Sequence, residues 1–440
     1  MATPTLRNFV PPQHDAQGLG REIYALIEEL YPICRSITGD GFRQTLRRIG
    51  QEIPLAVHEV PSGTQVFDWT VPKEWNIRDA YVKNARGERI IDFHKHNLHL
   101  VSYSAPLHRK MSLRELEPHL YSLPEQPDLI PYRTSYYNEN WGFCLPHRQR
   151  LELRDEEYEV CIDSTLQDGH LTFGEYLVPG SSSEEILISC HACHPSLCND
   201  NLSGISVATH LAKHLAGAEL RYSYRFLFIP GTIGSITWLS LNENRVDRIR
   251  HGVVLTCVGD RGGFNYKKSR RGDAEIDRAF THVLRQLGRP SAIHEFSPYG
   301  YDERQYCSPG FNLPVGCLMR SPHGKFPEYH TSGDNLSLVD SASLGDTFNL
   351  CMSVFHLLEN NRTYLNLSPK GEPQLGKRGL YGSIGGRDVK TSELAMLWVL
   401  NFSDGGHNLL DIAERSGMAF GLLAEAAQAL SAKGLLREVQ

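Results

Sequence analysis

From about residue 150 the chain alternates short apolar runs with amphipathic ones. EEILISCH reads as a strand and SGISVATHLAKHLAG as a helix closing at Gly217. YRFLFIP is a strand, GSITWLSLNEN a helix, HGVVLTCVG a strand and DAEIDRAFTHVLRQLG a helix. Strand–helix alternation of this kind predicts an α/β fold, a mixed and largely parallel sheet flanked by helices. Such sheets hold their ligands beyond the carboxyl ends of the strands. Three positions of chemical interest fall there: a Cys/His cluster after the first strand, Gly231 after the second and Asp260 after the third.

The flanking segments change character. REIYALIEELYPIC and GDGFRQTLRRIG carry helical apolar spacing. Between residues 55 and 105 the runs VFDWTV, DAYVKNA, RIIDF and HLVSYS alternate and are punctuated by SG, PKE and RGE turns, the pattern of a small β-rich unit. PEQPDLIP is a proline-rich connector. The last 55 residues are helical, turn at RSGM and end in GLLREV, the order of a winged helix. A chain of 440 residues exceeds what one hydrophobic core holds. The expected domains are an α/β unit from 1–54 plus 131–370, an inserted β-rich unit at 55–130 and a winged-helix-like unit at 371–440.

Charge narrows the partners. The net charge of −6 gives no reason to expect nucleic acid or an anionic membrane. From Arg387 onward there are five Lys/Arg against seven Asp/Glu, so the winged helix lacks the basic footprint of a DNA reader and suits docking or dimerisation. The longest apolar run, RFLFIPGTIGSITWLSL, is broken by Pro230, Gly231 and Gly234 and is too short to span a bilayer. MATPTLRNFVPPQHDAQ has no apolar h-region, and ten cysteines without an export signal read as reduced thiols. The expected location is the cytoplasm.

Residues 189–204, SCHACHPSLCNDNLSG, concentrate the chemistry. Cys190-His191-Ala192-Cys193-His194 matches the C-x-x-C-H pattern of haem attachment, which belongs to exported proteins. A zinc knuckle would want a second Cys/His pair nearby, and none follows. A redox pair would want the motif at a helix start, but His194-Pro195 and a loop follow. A bland alternative is a set of polar loop residues capping a helix. A histidine at a strand end, followed by Asp200 in a strand-to-helix turn, instead suits a divalent metal, with His330 of FPEYHTSGDN as a distant third ligand.

The order H…NDNLSG…YHTSGD on an α/β chain resembles the zinc-dependent aminopeptidase clan, which includes leucyl aminopeptidases and glutaminyl cyclases. CRSITGDGFRQTL, SGTQVFDWTVPKEWNIRDAY, IPYRTSYYNENWGFC, CHPSLCNDNLSG, CVGDRGGFNYKKSR and DERQYCSPGFNLPVG are similar, over nearly the whole chain, to a bacterial family described as polysaccharide-biosynthesis proteins with an aminopeptidase-like domain. The resemblance implies an aminopeptidase-like core, an inserted β domain and a C-terminal winged helix. It implies His194 as a metal ligand with His191 as the rival, Asp200 as the counterpart of the clan's metal-bridging Asp, His330 as the last ligand and Asp260 as a fourth. It also implies that Asp302, Glu303 and Arg304 form a functional loop, Arg304 clamping a substrate carboxylate.

One departure stands out. After the strand YRFLFIP the clan carries an acidic pair, whose first Glu is the general base and whose second binds another metal. This chain has Pro230-Gly231-Thr232-Ile233-Gly234-Ser235 there. One ion rather than two is therefore expected, with Glu303 or Glu328 as the base. The expected activity is that of a mononuclear zinc enzyme acting on an amide or peptide-like small molecule, by hydrolysis or acyl transfer, in a biosynthetic pathway. The alternatives are a silent metal- or ligand-binding scaffold and a winged-helix regulator. Expected partners are the small-molecule substrate and a docking partner or second copy of the chain, in a homo-oligomer. His94, His96 and His99 are expected to be structural, with His94 and His96 on one strand face. Lys267, Lys268, Arg270 and Arg271 are expected to form a solvated basic loop. Tyr136, Tyr137 and Trp141 are expected to line a pocket or to pack in the core.

Overall fold

The computed structural model describes residues 15–380 and 389–439. The N-terminal stretch that bears on export lies mostly outside them. Among the described residues no helix is long and apolar enough to cross a membrane.

The larger unit is organised by an eight-stranded sheet. Its order is Ala56–Pro61, His170–Val178, Ser223–Ile229, Glu185–His191, Ile249–Leu255, Val315–Met319, Phe264–Lys267 and Ser291–His294. The four strands from Ser223–Ile229 to Val315–Met319 are parallel. Antiparallel strands join on both sides, so the sheet is mixed. Every residue of Glu185–His191 and of Ser223–Ile229 is buried. That explains why ILI and FLFI read as apolar runs without alternation: strands covered on both faces have no solvent-facing side. Helices Ser203–Leu215 and Ile233–Asn242 each begin just past one of these strands, so the residues at strand ends and helix starts gather along one sheet edge.

The inserted β unit has other bounds than 55–130. Ala56–Pro61 pairs with His170–Val178 in the main sheet. The separate four-stranded sheet is Arg89–Asp92, Glu74–Lys83, Glu157–Gln167 and Leu107–Ser112, and its longest strand comes from beyond residue 130. Period-2 alternation marks a strand and its inner face but says nothing of its partner. His94–His96 do not form a strand; a turn there leads into the short helix Asn97–His99. His94 meets Asp79, His96 Nδ1 accepts from Leu98 N, and His99 Nδ1 meets the Cys144 carbonyl at 2.8 Å, so all three serve the structure.

A second compact unit comprises residues 278–289 and the chain from 350 onward. Its sheet, Asp404–Asn408, Thr363–Asn366 and Leu436–Val439, carries helices Val389–Phe402, Leu409–Ser416 and Phe420–Ala432. Strand Thr363–Asn366 lies ahead of the expected start at 371. Asn408 and Asp411 form a capping box at the head of Leu409–Ser416, and Gly417 closes it at φ 71°.

Candidate metal centre

His191 is the last residue of its strand. The chain then turns through Ser196, at φ 48°, and enters the Cys198–Leu202 turn ahead of helix Ser203–Leu215. The three consecutive residues of Asn199-Asp200-Asn201 divide the work. Asn199 Nδ2 donates to Asp260 Oδ2 at 2.7 Å, and its Oδ1 accepts from Gly259 N at 2.9 Å. Asn201 Nδ2 donates to the Leu255 carbonyl at 2.9 Å, and its Oδ1 accepts from Gly204 N at 3.1 Å. The two asparagines tie the turn to the neighbouring strand, which leaves the Asp200 carboxylate for other partners. Gly204 is required by close approach: a Cβ there would sit 2.5 Å from the Leu255 carbonyl oxygen.

Three histidines converge on Asp200. His191 Nε2 lies 2.8 Å from Oδ1, His330 Nε2 3.0 Å from Oδ2, and His194 Nε2 4.0 Å from Oδ2. Ligand atoms of His191, His194 and Asp200 all fall within 4.8 Å of one another. Both rivals for the first ligand are therefore in the cluster. His191 and Asp200 are fully buried, His194 nearly so, and His330 is 35% exposed, so the cluster opens on the His330 side. The imidazole nitrogens of His191 and His194 with the Asp200 carboxylate make a donor set suited to zinc, and His330 stands beside Asp200 as a further nitrogen.

The surroundings orient these groups. Tyr301 stacks on His191, centroids 4.3 Å apart, and Tyr329 on His330 at 4.0 Å. The Tyr301 hydroxyl donates to Asp200 Oδ2 at 2.6 Å and meets the Tyr329 hydroxyl at 2.7 Å. The Tyr132 ring lies 5.0 Å from that of His194 and 5.2 Å from that of His330. The Arg35 Nε donates to the His194 carbonyl at 3.1 Å. Asp334, last of the HTSGD run, accepts from Asn199 N at 2.6 Å and Asp200 N at 2.9 Å, clamping the ligand turn. Burial pushes its carboxyl up to about 8, against the pull of those two amides. Burial alone would raise Asp200 too, but the histidines around it, His194 foremost, hold it well below the usual carboxylate range. Burial drives His194 well below the usual imidazole range, despite Asp200, which favours the neutral form that ligates metal.

Other expected site residues lie outside the ligand cluster itself. Asp260 is outside the cluster because its carboxylate is already committed to Asn199, Gly262 N and Ser321. Glu303 is fully buried against Lys267 Nζ at 2.5 Å. Lys267 is thus a buried ion-pair partner, not part of a solvated loop, and also donates to the Tyr299 carbonyl at 2.9 Å. Lys268 pairs with Glu295, and Arg270 and Arg271 bond to Asn312. Glu328 is half-buried, with its Cβ and Cγ beside the Gly333 turn. Arg304 is half-buried, its Nε without a hydrogen-bond partner. Asp302 is fully buried, held by Ser235 Oγ at 2.8 Å. Tyr136 bonds the Tyr132 hydroxyl at 2.7 Å, Tyr137 is exposed beside Trp69, and Trp141 stacks on His119. Tyr301, Tyr329 and Asp334 carried no functional expectation; their only sequence signal is that each flanks or ends a motif already singled out. Cys190 and Cys193 are buried free thiols in the structure.

The mixed α/β sheet with its flanking helices is an aminopeptidase-like fold. The fold matches BSAP, a zinc aminopeptidase from Bacillus subtilis, at TM-score 0.56 and 12% identity over 78% of this chain and 95% of that one. It also matches a peptidase M28 precursor from Shewanella amazonensis at TM-score 0.54 and 13% identity, over 78% and 96%. The chain belongs to the DUF4910 family, described as a domain of unknown function, whose profile matches residues 24–361; a winged helix-turn-helix profile matches residues 362–438. A Clostridium acetobutylicum protein, provisionally named a polysaccharide biosynthesis protein with aminopeptidase-like domain, is 57% identical over 96% of this chain and 97% of its own. A crystal structure from that organism, provisionally described as a peptidase, superposes at TM-score 0.93 with 55% identity over 96% and 97%.

Proposed function

We propose that this protein is a mononuclear zinc enzyme that cleaves an amide bond in a peptide-like small molecule, within a biosynthetic pathway. The observation that carries this reading is the convergence of His191, His194 and His330 on the buried Asp200. Those four residues would hold the ion. Zinc supplies Lewis-acid polarisation of a carbonyl and a more acidic water. The chain's own residues do the rest. Tyr301 and Tyr329 fix the imidazole planes and exclude water from one side of the cluster. Arg304, with its unpartnered Nε, is suited to grip a substrate carboxylate. The biosynthetic setting rests on the name of the Clostridium acetobutylicum relative. The C-terminal winged helix acts as a docking or dimerisation module in this reading, since its net acidic charge disfavours nucleic acid. Gly231, where aminopeptidases of the clan carry their acid, favours a second reading, a scaffold that binds metal without turnover. Zinc-reconstituted protein, assayed against a panel of aminoacyl amides and aminoacyl p-nitroanilides, separates the two. Metal-dependent release of amine supports the enzyme; bound zinc with no turnover across the panel supports the scaffold.

A further inference from the structure

Amide hydrolysis needs a group that takes a proton from the attacking water, and a positioned carboxylate contributes roughly 10²–10⁴ in rate. Glu303 is committed to Lys267 at 2.5 Å, and Glu328 packs beside the Gly333 turn. The Glu303 oxygens also make no hydrogen bond, but Lys267 neutralises that carboxylate, so what sets Asp302 apart is where it stands. Its Oδ1 accepts from Ser235 Oγ at 2.8 Å, while its Oδ2 is buried with no hydrogen-bond partner. A buried carboxylate oxygen without a donor is costly, and native proteins keep few of them without a reason. Its position supplies one. A Cβ built on Gly231 would lie 3.5 Å from Asp302 Oδ2 and 3.0 Å from His191 Cβ. The free oxygen therefore faces the end of strand Ser223–Ile229, on the side where His191 stands. Gly231 itself is partly exposed, while Asp302 Oδ2 beneath it is buried.

We infer that Asp302 is the proton-accepting carboxylate of this site, supplied from the turn ahead of helix Glu303–Tyr306 because the strand end at Gly231 carries none. The inference rests on the hydrolase reading above. Asp302 Oδ2 takes one proton from water as the water oxygen bonds to the carbonyl carbon. The C–N bond then breaks as Asp302 returns that proton to the leaving nitrogen. One amide and one water become one carboxylic acid and one amine. Ser235 is a positioning residue: by holding Oδ1 it keeps Oδ2 turned toward Gly231. Gly231 keeps that space open, since any side chain there would meet His191 and the Asp302 carboxylate.

The test uses the full-length, zinc-reconstituted chain and L-leucine hydroxamate, which gives up its hydroxyl proton when it binds a metal as an anion. Calorimetric titration in two buffers of different ionisation enthalpy counts the protons released to solvent. Wild type should release almost none, because Asp302 keeps the proton. D302N retains the contact with Ser235 and accepts no proton, so it should release about one. Should D302N not fold, S235A carries the same test, with release above wild type because Oδ2 is no longer held in place. Equal release from wild type and variant overturns the role of Asp302 and leaves the metal reading standing. Absence of zinc, or of hydroxamate binding, in wild type overturns the hydrolase reading itself and this inference with it.

Discussion

Asp334→Ala removes a clamp, not a ligand. The Asp334 carboxylate is fully buried and accepts the backbone N–H groups of Asn199 and Asp200 at 2.6 and 2.9 Å. Alanine leaves both amides buried without an acceptor. An orphaned buried donor costs about 1–3 kcal/mol, so the pair costs about 2–6 kcal/mol, less whatever is regained by no longer burying a carboxylate. The effect on metal follows from the same geometry. Asp200 rides on the turn that Asp334 holds, so a slack turn shifts its carboxylate relative to the histidines despite the bond from Tyr301. Loss of an outer partner of this kind typically lowers metal affinity about 10–100-fold. Asp334→Asn should recover little, because its amide nitrogen would face one of the two donors. Urea unfolding of the metal-free protein measures the first effect, and zinc competition against a chromophoric chelator the second. A variant that unfolds more easily yet keeps wild-type zinc affinity would refute the claim that Asp334 positions the ligand turn.

Three further outcomes are expected. Gly231→Glu should lower both the melting temperature and the zinc affinity without raising aminopeptidase activity, since its Cβ would press on His191 and its carboxylate would meet Asp302; improved hydrolysis would show that the space is free. Gly204→Ala should destabilise by at least the usual overpacking cost of about 1–3 kcal/mol, measured by denaturant unfolding, because its Cβ would lie 2.5 Å from backbone oxygen. Glu74 accepts two bonds from Arg43 and one from His170 N, and Arg43 foremost lowers its carboxyl to about 2. Its folded value lies below its unfolded one, so its stabilisation is complete above the ordinary Glu range and is lost as pH falls toward 2. Glu74→Gln should therefore be less stable than wild type at pH 7, with the gap narrowing below about pH 4.5 in urea titrations.

The sheet and the ligand cluster were legible for a shared reason. The apolar runs at 186–188 and 226–229 announce burial on both faces, and the residues that follow such strands are forced to one edge. His191, His194 and Asp200 could be picked out as candidates on that logic, and His330 only from its own motif and the family resemblance; which histidine comes first could not, because the turn through Ser196 brings both in. Asp302 and Glu303 show the limit. Neighbours in sequence, they diverge at the helix start: one carboxylate meets Ser235 and the other Lys267. Lys267 looked like part of a solvated run because its partner lies 36 positions away and leaves no local trace. Strand partners are non-local in the same way, which is why Ala56–Pro61 and Glu157–Gln167 exchanged sheets relative to expectation.

One zinc ion is expected among the three imidazoles and Asp200. Cys193 Sγ lies 3.5 Å from His194 Nδ1, so a thiolate-bound alternative is close at hand. Zinc X-ray absorption on the reconstituted chain distinguishes the two, because Zn–N and Zn–O distances are about 2.0–2.2 Å and Zn–S about 2.3 Å. The expected spectrum shows one zinc per chain with a nitrogen and oxygen shell, imidazole scattering and no sulfur, and His330→Ala should lose the ion with the fold intact. A sulfur shell, or no zinc retained after reconstitution, would contradict it.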